Sequence, residues 1–404
     1  MLTGRRYRLQ LTEAQAELSE EYGNICRSVW NTGLDQRRQY RRRGGWMNYV
    51  PQAAELADAK TEHEWLKAAP SHILQQTLKD LDKACRDHGT FKVRWRSKAR
   101  WSPSFRFPAG NLIIVERLGR KWGRAKLPKL GWVTFRWSRP LGGEVKSATV
   151  SRKGRHWFVS FLVSTEETTP EQHAMPDTVV GIDRGVVVAA TTSDGDFHDR
   201  AFVTEGEKTR YRRLQQRLAH TKKGSANRRK AVAAMNQIMG RITDRRGDFC
   251  AQVANQITAK NALVVLEDLK TRNMTASASG TLTEPGVNVS QKRGLNRTIL
   301  DKGWHRLELA LANAARYTGA RLVKVNPAYT SQRCSACGFV TEGNRESQSV
   351  FVCKSAGCGY TAHADVNAAR NVKAAGQAVS ACGDLGVSRS VKQEPVSRAT
   401  GRNP

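Results

Sequence analysis

Residues 179–192 constrain the fold of this chain most, because they form a β-branched, apolar run that contains one acid. Asp183 lies between Gly181 and Gly185, with apolar residues beyond them, so we expect it at the tip of a buried strand pair. A lone buried carboxylate costs several kcal/mol unless a cation or a donor neutralises it. The segment therefore has two interpretations: an ordinary hairpin with an aspartate in its turn, or a site at which acids from other segments lie next to Asp183.

The charge balance indicates a polyanionic partner. The 404 residues include 67 lysines and arginines against 36 acids, a formal net charge of +31. Such a surplus repels itself in a compact chain, and nucleic acid is the polyanion that fits best. The sequence has no apolar run of membrane-spanning length, no strongly amphipathic basic helix at a terminus and no apolar core of signal-peptide length, so we expect no membrane partner.

Cysteine usage agrees with an intracellular protein. Four cysteines are scattered singly, at positions 26, 85, 250 and 382, and four are clustered. The clustered residues form two turns, Cys334 with Cys337 and Cys353 with Cys358, separated by fifteen residues. Two such turns supply four thiolates to one structural Zn²⁺. The gap in the second turn is wide, and His363 lies close enough to replace Cys358.

The first 170 residues predict a small β-barrel that is interrupted by helices. Residues 7–11 alternate like a strand, and Thr12 with Gln15 forms a capping box that opens a helix. Strand-like segments follow at 112–115, 132–137, 145–150 and 157–163. We expect the first barrel strand in residues 1–11, a helical domain in residues 12–90 and the remaining strands in residues 91–170.

Two basic segments are candidates for nucleic-acid contact. Residues 91–107 contain six basic residues, five aromatics and no acid, a composition that suits phosphates and unpaired bases, although a basic edge strand with core aromatics is the alternative. Residues 208–230 contain ten basic residues and no acid, which favours a phosphate backbone over a solvated helix face. The candidate contacts are Arg41, Arg42, Arg43, Lys92, Arg94, Arg96, Lys98, Arg100, Arg106, Arg210, Arg213, Arg217, Lys222, Lys223, Arg228 and Arg229.

Two further acids can join Asp183. Residues 262–269 read as a buried strand that ends at Glu267, and Asp365 opens a helix. Two strand ends and a helix start can meet at one edge of an α/β sheet. Three carboxylates suit two divalent cations, Mg²⁺ or Mn²⁺, which activate a water and stabilise the leaving oxygen of a phosphodiester. Each acid alone also has a structural explanation, and Asp268 is the alternative to Glu267.

These motifs resemble the split RuvC motifs and zinc ribbon of TnpB proteins from insertion sequences, and of the related compact type V CRISPR effector nucleases. The resemblance covers nearly the whole chain up to the tail and is carried by residues 181–185 (GIDRG), 266–269 (LEDL), 294–301, 329–338 and 365–369 (DVNAA), with 74–82 in the helical section. This chain departs from the family at Ala364, where an arginine is usual, and in the wide second cysteine turn.

The resemblance implies an RNA-guided DNA endonuclease with Asp183, Glu267 and Asp365 as the catalytic acids. It implies a fold of α+β and α/β domains: an interrupted (wedge) β-barrel with a helical recognition insert, an RNase H-like RuvC domain and a zinc ribbon. The partners would be a guide RNA and double- and single-stranded target DNA, in a monomeric ribonucleoprotein of the prokaryotic cytosol, associated with the nucleoid. The expected boundaries are 171–330 for the nuclease domain with a basic helical insert at 205–260, 331–361 for the zinc ribbon, 362–374 for the end of the nuclease domain and 375–404 for a disordered tail.

Two other functions stay open at this point. A DNA transposase of RNase H-like fold also uses three acids, and an RNA-guided regulator would bind its target with little or no cleavage. The role of Arg184 follows from the same motif: beside a metal-binding Asp183, it is expected to contact the incoming phosphodiester, because pairing with Asp183 would occupy the carboxylate.

Overall fold

The computed structural model describes residues 1–98, 101–281 and 283–381, which divide into two compact units. The first unit is Met1–Thr168, and the second begins at Thr169. The elements of the first unit are β1 (Leu2–Gln10), α1 (Glu13–Arg42), α2 (Tyr49–Glu62), α3 (Glu64–Ala68), α4 (Ser71–His88), β2 (Ser104–Phe107), β3 (Ile114–Arg117), β4 (Trp122–Leu127), β5 (Gly131–Arg136), β6 (Glu144–Lys153) and β7 (His156–Ser164).

The strands of the first unit form an antiparallel sheet in the order β2-β6-β7-β1-β5-β4-β3 within the described residues. Strand β1 joins its two halves, because Leu2–Arg8 pair with β7 while Leu9 and Gln10 pair with β5. The sheet is open, with β2 and β3 at its edges, so the strands predicted to form an interrupted β-barrel do not close into one. Alternation of side chains identifies strands, but it carries no information on whether the two edge strands meet.

The helices of the first unit pack on this sheet and share one core with it. The capping box of Thr12 and Gln15 is present at the start of α1. Buried side chains of α1 and α4, among them Tyr22 and Leu74, belong to the same apolar cluster as Phe135 of the sheet. Arg37, at 1% exposure, ties the helices together because its Nη1 lies 2.7 Å from Asp82 Oδ1 and its Nε donates to Gln52.

The second unit contains a mixed five-stranded sheet within the described residues, in the order β10-β9-β8-β11-β12. Strands β8, β11 and β12 are parallel, and β9 and β10 complete the sheet as antiparallel strands. The elements are β8 (Val179–Asp183), β9 (Ala190–Thr192), β10 (Phe197–His198), α5 (Glu205–Ala219), α6 (Ala226–Lys260), β11 (Leu263–Glu267), α7 (Thr271–Met274), α8 (Val289–Lys302), α9 (Trp304–Thr318), β12 (Arg321–Val325), β13 (Val350–Val352), β14 (Thr361–His363) and α10 (Ala364–Ala381).

Helix α10 lies directly on the sheet, and two glycines allow the close approach. A Cβ at Gly181 of β8 would stand 2.1 Å from the carbonyl oxygen of Ala369, and a Cβ at Gly376 would stand 2.3 Å from a methyl carbon of Val265. The helix continues to Ala381, so the loss of regular structure expected from residue 375 is wrong for residues 375–381. Residues 382–404, with Cys382, lie outside the described residues.

The spacing of Leu300, Trp304 and Leu307 in the sequence suits one continuous helix, but the structure has two helices here, α8 and α9. Gly303, between them, has φ of 74°, a left-handed conformation that interrupts the helix. The buried face of α9 packs on the same core as β8 and β11. Across the described ranges, we find no helix with the length and apolarity required to cross a membrane.

Candidate functional site

Asp183 and Glu267 end two neighbouring parallel strands. In the register of β8 and β11, Ile182 lies opposite Leu266, so the next residue on each strand is an acid. Asp365 arrives from the first turn of α10, which packs on β8 through Gly181. The structure therefore brings all three predicted acids to one edge of the sheet, where the charges of Glu267 and Asp365 both act on Asp183.

The electrostatics of this edge favour the capture of a cation. Burial raises the pKa of Asp183 to about 7, and the negative charges of Glu267 and Asp365 add to that effect. Burial also raises the pKa of Glu267, which is 6% exposed. A divalent cation bound among these groups would stabilise their ionised forms and remove the repulsion between them. The acids are thus held in an arrangement that costs free energy when no cation is bound.

Two side chains that the sequence did not single out hold these acids in place. The Thr330 hydroxyl donates to Oε1 of Glu267 over 2.7 Å, and Arg345 Nη2 donates to Oδ1 of Asp365 over 2.9 Å. Arg345 also lowers the pKa of Asp183 against the effects of burial. Thr330 lies just before the first cysteine turn, so the sequence gave a weak indication that it belongs to the site. Arg345 lies between the two cysteine turns, and the sequence gave no indication of its role.

Ala364 stands where the resemblance leads one to expect an arginine. The Ala364 side chain is fully buried in an apolar cluster with Cys334, Phe351 and Cys353. The guanidinium that reaches Asp365 comes instead from Arg345, twenty residues earlier in the chain. The departure at Ala364 therefore leaves Asp365 with a cationic partner.

Asp268, the alternative to Glu267, occupies a different environment. Its carboxylate pairs with Lys270 and lies 3.8 Å from Lys324. The hydrogen bond from Lys270 lowers the pKa of Asp268, whereas the pKa of Glu267 is raised. The geometry favours Glu267 as the member of the acid cluster.

Arg184 does not pair with Asp183, and it does not face solvent either. It is 3% exposed, and its Nη2 donates to the main-chain oxygen of Glu267 while Nη1 lies 3.5 Å from Oε2 of Glu308 on α9. The Asp183 carboxylate is therefore free of the Arg184 side chain, as expected. The β8–α9 packing holds the guanidinium between Glu267 and Glu308.

The four clustered cysteines form a site that fits a tetrahedral metal. Their sulfur atoms all lie within 4.8 Å of one another, with 3.9 Å between Cys334 and Cys358 and 3.6 Å between Cys337 and Cys353. Ligands about 2.3 Å from a tetrahedral zinc lie about 3.8 Å apart. His363 is outside this cluster: its ring packs against Phe197, and its Nδ1 accepts from the backbone N–H of Asp365.

Helix α10 connects the cysteine cluster to the acid cluster. Asn367 accepts from the N–H of Ser335 and donates to the carbonyl of Arg333, so it braces both sides of Cys334. One turn later, Asn371 donates to the carbonyls of Thr330 and Arg333. Asp365 lies on the same helix. The position of the third acid is therefore coupled to the fold of the first cysteine turn.

The segment 91–96 lies along α1 and is fixed by side-chain hydrogen bonds. Arg38 donates to the carbonyls of Phe91 and Val93, the Trp30 indole N–H donates to the carbonyl of Arg94, and Asn31 exchanges two bonds with Arg96. Phe91 and Trp95 are 57% and 44% exposed, with the guanidinium of Arg38 4.7 Å from the Trp95 ring. The segment presents aromatic and cationic groups to solvent on a rigid support.

The two alternatives for residues 91–107 each describe one half of the segment. Phe105 and Phe107 are buried in β2, as a basic edge strand with core aromatics requires, whereas Phe91 and Trp95 are exposed. Of the candidate basic contacts here, Arg96 stacks on Trp30 and Arg106 pairs with Asp80. Arg100 lies outside the described residues. The candidates with exposed side chains at this surface are Arg41, Arg42, Arg43, Lys92, Arg94 and Lys98.

The basic candidates of residues 205–260 lie on the helical hairpin of α5 and α6. Arg228 is used inside the hairpin, because its Nη1 donates to the carbonyls of Leu218 and Thr221. Glu207 and Arg245 fix the other end, with nitrogen–oxygen distances of 2.5 and 2.9 Å. The remaining candidates are exposed: Arg210, Arg213, Arg217, Lys222, Lys223 and Arg229.

Comparison with known proteins shows where the chain belongs. It is 39% identical over 93% of its length, and 92% of the relative's, to a protein of Escherichia coli strain K12 named "Putative RNA-guided DNA endonuclease InsQ". The chain belongs to the TnpB family. A second family member, from Streptomyces pristinaespiralis and named "Putative RNA-guided DNA endonuclease", is 32% identical over 99% of this chain and 97% of its own.

Three family models match parts of the TnpB chain. The model described as "Cas12f1-like, TNB domain" matches residues 304–372, which include the four clustered cysteines and Asp365, and the model described as "Probable transposase" matches residues 160–278, which include Asp183 and Glu267. A "Helix-turn-helix domain" model matches residues 1–45, where the structure has β1 followed by one continuous helix.

A solved structure supports the fold of this TnpB family member. The cryo-EM structure of a Cas12f1–sgRNA–target DNA complex superimposes with a TM-score of 0.58 at 14% identity, and covers 90% of this chain and 83% of the solved one. At that identity the likeness shows a shared compact type V fold of mixed α/β content.

Proposed function

We propose that this protein is an RNA-guided DNA endonuclease that hydrolyses phosphodiester bonds with Asp183, Glu267 and Asp365. The observation that carries the proposal is the convergence of these three carboxylates at one sheet edge, where burial, together with the charges of the other two acids, raises the pKa of Asp183 to about 7. Family membership over 93% of the chain supports the same conclusion, because the relatives are named for this activity.

The donor set fits two Mg²⁺ or Mn²⁺ ions, since all three side chains offer oxygen ligands and no thiolate or imidazole belongs to the set. Bound ions would supply a nucleophilic water and neutralise the leaving oxygen. Asp183, Glu267 and Asp365 would together hold the ions, and Asp183 is the acid on which the charges of the other two both act. Thr330 orients Glu267, and Arg345 balances part of the charge.

The remaining parts suit the nucleic acids. We assign a structural Zn²⁺ to Cys334, Cys337, Cys353 and Cys358, and guide RNA and target DNA to the exposed basic residues of α1, of segment 91–98 and of the α5–α6 hairpin. Sequence would be read by pairing of the guide with its target, and a short flanking motif by the protein. We place the complex in the prokaryotic cytosol, on the nucleoid, with one protein chain per guide.

The test begins with the RNA that co-purifies with the full-length protein. That RNA is sequenced, and the complex is incubated with Mg²⁺ and a plasmid library that carries a matching target beside a randomised flank. We expect discrete RNA and plasmid cleavage, and we expect Asp183→Ala to abolish cleavage while leaving RNA and target binding within a few fold. Retained cutting by that variant would refute the metal assignment.

The same experiment separates two other functions. A transposase, the function in the name of the model matching residues 160–278, would join DNA ends without bound RNA. An RNA-guided regulator would protect its target without nicking it at any Mg²⁺ concentration. Absence of discrete co-purifying RNA would contradict guidance by RNA.

A further inference from the structure

The buried guanidinium of Arg184 lies beneath the acid cluster but is not part of it. Arg184 follows Asp183 at the end of β8, and its Nη2 donates to the main-chain oxygen of Glu267 at the end of β11. One side chain therefore joins the ends of the two strands that carry two of the acids. Its Nη1 lies 3.5 Å from Oε2 of Glu308, in the second turn of α9.

Stability does not explain the buried charge at this position. Arg184 is 3% exposed, and its Nε and Nη1 make no hydrogen bond in the described structure. Buried ion pairs that are incompletely hydrogen-bonded add little to stability and are often replaced by apolar groups without loss. A guanidinium with only part of its hydrogen bonds made, next to the acids, is therefore better explained by the groups that it positions than by a contribution to the stability of the fold.

Glu308 is fixed from a second direction. Lys324 of β12 lies 2.5 Å from Oε1 of Glu308 and 3.8 Å from Oδ1 of Asp268. Charges of alternating sign therefore follow one another from Arg184 after β8, through Glu308 on α9 and Lys324 on β12, to Asp268, the residue after Glu267. The chain of contacts spans the ends of three adjacent strands, so it can set the spacing between Asp183 and Glu267.

We propose that Arg184 and Glu308 are positioning residues that hold Asp183 and Glu267 at the separation needed to share a divalent cation. The proposal rests on the proposed function, because it requires a cation at the acids. Arg184 acts through a main-chain oxygen and through its own backbone, and Glu308 acts through Arg184. Neither residue touches the cation or the substrate.

A purely electrostatic role would give the opposite result in one variant. If Arg184 served only as a nearby positive charge, Arg184→Gln would strengthen cation binding by removing repulsion, and Arg184→Lys would leave it unchanged. If the planar fork of Arg184 positions the strand ends, both variants weaken cation binding, because neither side chain can span from Glu267 to Glu308 with the same geometry. Glu308→Gln weakens binding under the positioning role and keeps the fold close to native.

The experiment measures the melting temperature of the full-length protein as Mn²⁺ is added, which reports cation binding without requiring cleavage. The Mn²⁺ concentration that gives half-maximal cleavage is measured in parallel. For Glu308→Gln, Arg184→Lys and Arg184→Gln we expect a rise of about tenfold in two quantities: the Mn²⁺ concentration that gives half-maximal cleavage, and the Mn²⁺ concentration that produces a given rise in melting temperature. A loss of about tenfold is typical of groups that support metal ligands.

Glu207→Gln is the matched control, because Glu207 also pairs with an arginine in the second unit but at the α5–α6 hairpin. Glu207→Gln should lower the melting temperature without changing the Mn²⁺ concentration that gives half-maximal cleavage. Tighter Mn²⁺ binding by Arg184→Gln, or unchanged midpoints in Arg184→Lys and Glu308→Gln, would overturn the proposal. If the wild-type protein shows no Mn²⁺-dependent shift and Asp183→Asn behaves identically, the metal assignment itself fails, which is a separate result.

Discussion

Arg345 Nη2 lies 2.9 Å from Asp365 Oδ1, so the third acid of the cluster carries a counter-charge that comes from between the two cysteine turns. The same guanidinium acts on Asp183, whose pKa it lowers. An arginine that is far from the acids in sequence therefore helps to set the ionisation of the site.

Replacement of Arg345 should shift the pH dependence of cleavage. Without the guanidinium the pKa of Asp183 rises further above its ordinary value, so a smaller fraction of Asp183 is ionised near neutrality. We expect Arg345→Ala to lose more activity at about pH 6.5 than at about pH 8.5, measured as single-turnover cleavage rates at fixed Mg²⁺. Arg345→Lys, which keeps the charge, should shift the profile less. An equal loss at every pH would contradict this account.

Asp183→Asn should abolish cleavage and yet stabilise the metal-free protein at alkaline pH. The pKa of Asp183 is about 7 in the folded protein and about 3.9 when unfolded, so ionisation opposes folding and stability is lost as the pH rises through this window. The variant removes that loss. Thermal melts of the zinc-loaded protein without added Mg²⁺ or Mn²⁺ should show a melting temperature a few degrees above wild type at about pH 8, and no difference at about pH 4.

Added Mg²⁺ provides the second part of the Asp183 measurement. It should raise the melting temperature of the wild-type protein at about pH 8 and have little effect on Asp183→Asn. If the variant melts below wild type at both pH values without added Mg²⁺, burial of the ionised Asp183 carboxylate is not the dominant cost.

Loss of zinc should impair cleavage more than RNA binding. Asn367 and Asn371 connect the first cysteine turn to α10, so a disordered turn would displace Asp365. We expect Cys337→Ser to release zinc, lower the melting temperature and reduce cleavage, while the affinity for co-purifying RNA stays within a few fold. Cys250→Ser, in the core of the second unit, should retain zinc. Full zinc content in Cys337→Ser would contradict the four-cysteine site.

Trp95 should contribute a stacking surface for unpaired bases. Its ring is 44% exposed on a segment that hydrogen bonds hold against α1, so little ordering is needed on binding. We expect Trp95→Ala to weaken binding of a single-stranded oligonucleotide about tenfold, measured by fluorescence anisotropy. Trp65→Ala is the control, since Trp65 is 49% exposed but its ring neighbour is His63. Equal losses in both variants would argue against a specific role for Trp95.

The sequence predicts those parts of the site that lie at the ends of regular elements. Asp183 and Glu267 follow apolar runs that become parallel strands, and Asp365 starts a helix, so their convergence follows from the topology of α/β sheets. The cysteine spacing likewise predicts the four-sulfur cluster. Such sequence patterns indicate where a residue lies along a strand, helix or turn. The structure places these residues at the positions that the patterns predict.

Other features depend on contacts between distant segments, which spacing does not encode. Arg345 reaches Asp365 from an irregular loop, and Arg184 turns inward because α9 supplies Glu308. The open sheet of the first unit depends in the same way on whether β2 and β3 meet. The break at Gly303 could have been anticipated from the glycine, but the regular spacing of leucines on both sides conceals it.

The close approach of α10 to β8 through Gly181 has a consequence for synthesis of the protein. Asp183 and Glu267 leave the ribosome before Asp365, which lies on the last described helix and reaches its place only when α10 docks on the sheet. A nascent chain can therefore fold its first unit and its helical hairpin before the third acid is in place. The protein becomes competent to cut only after α10 has been made and has docked on the sheet.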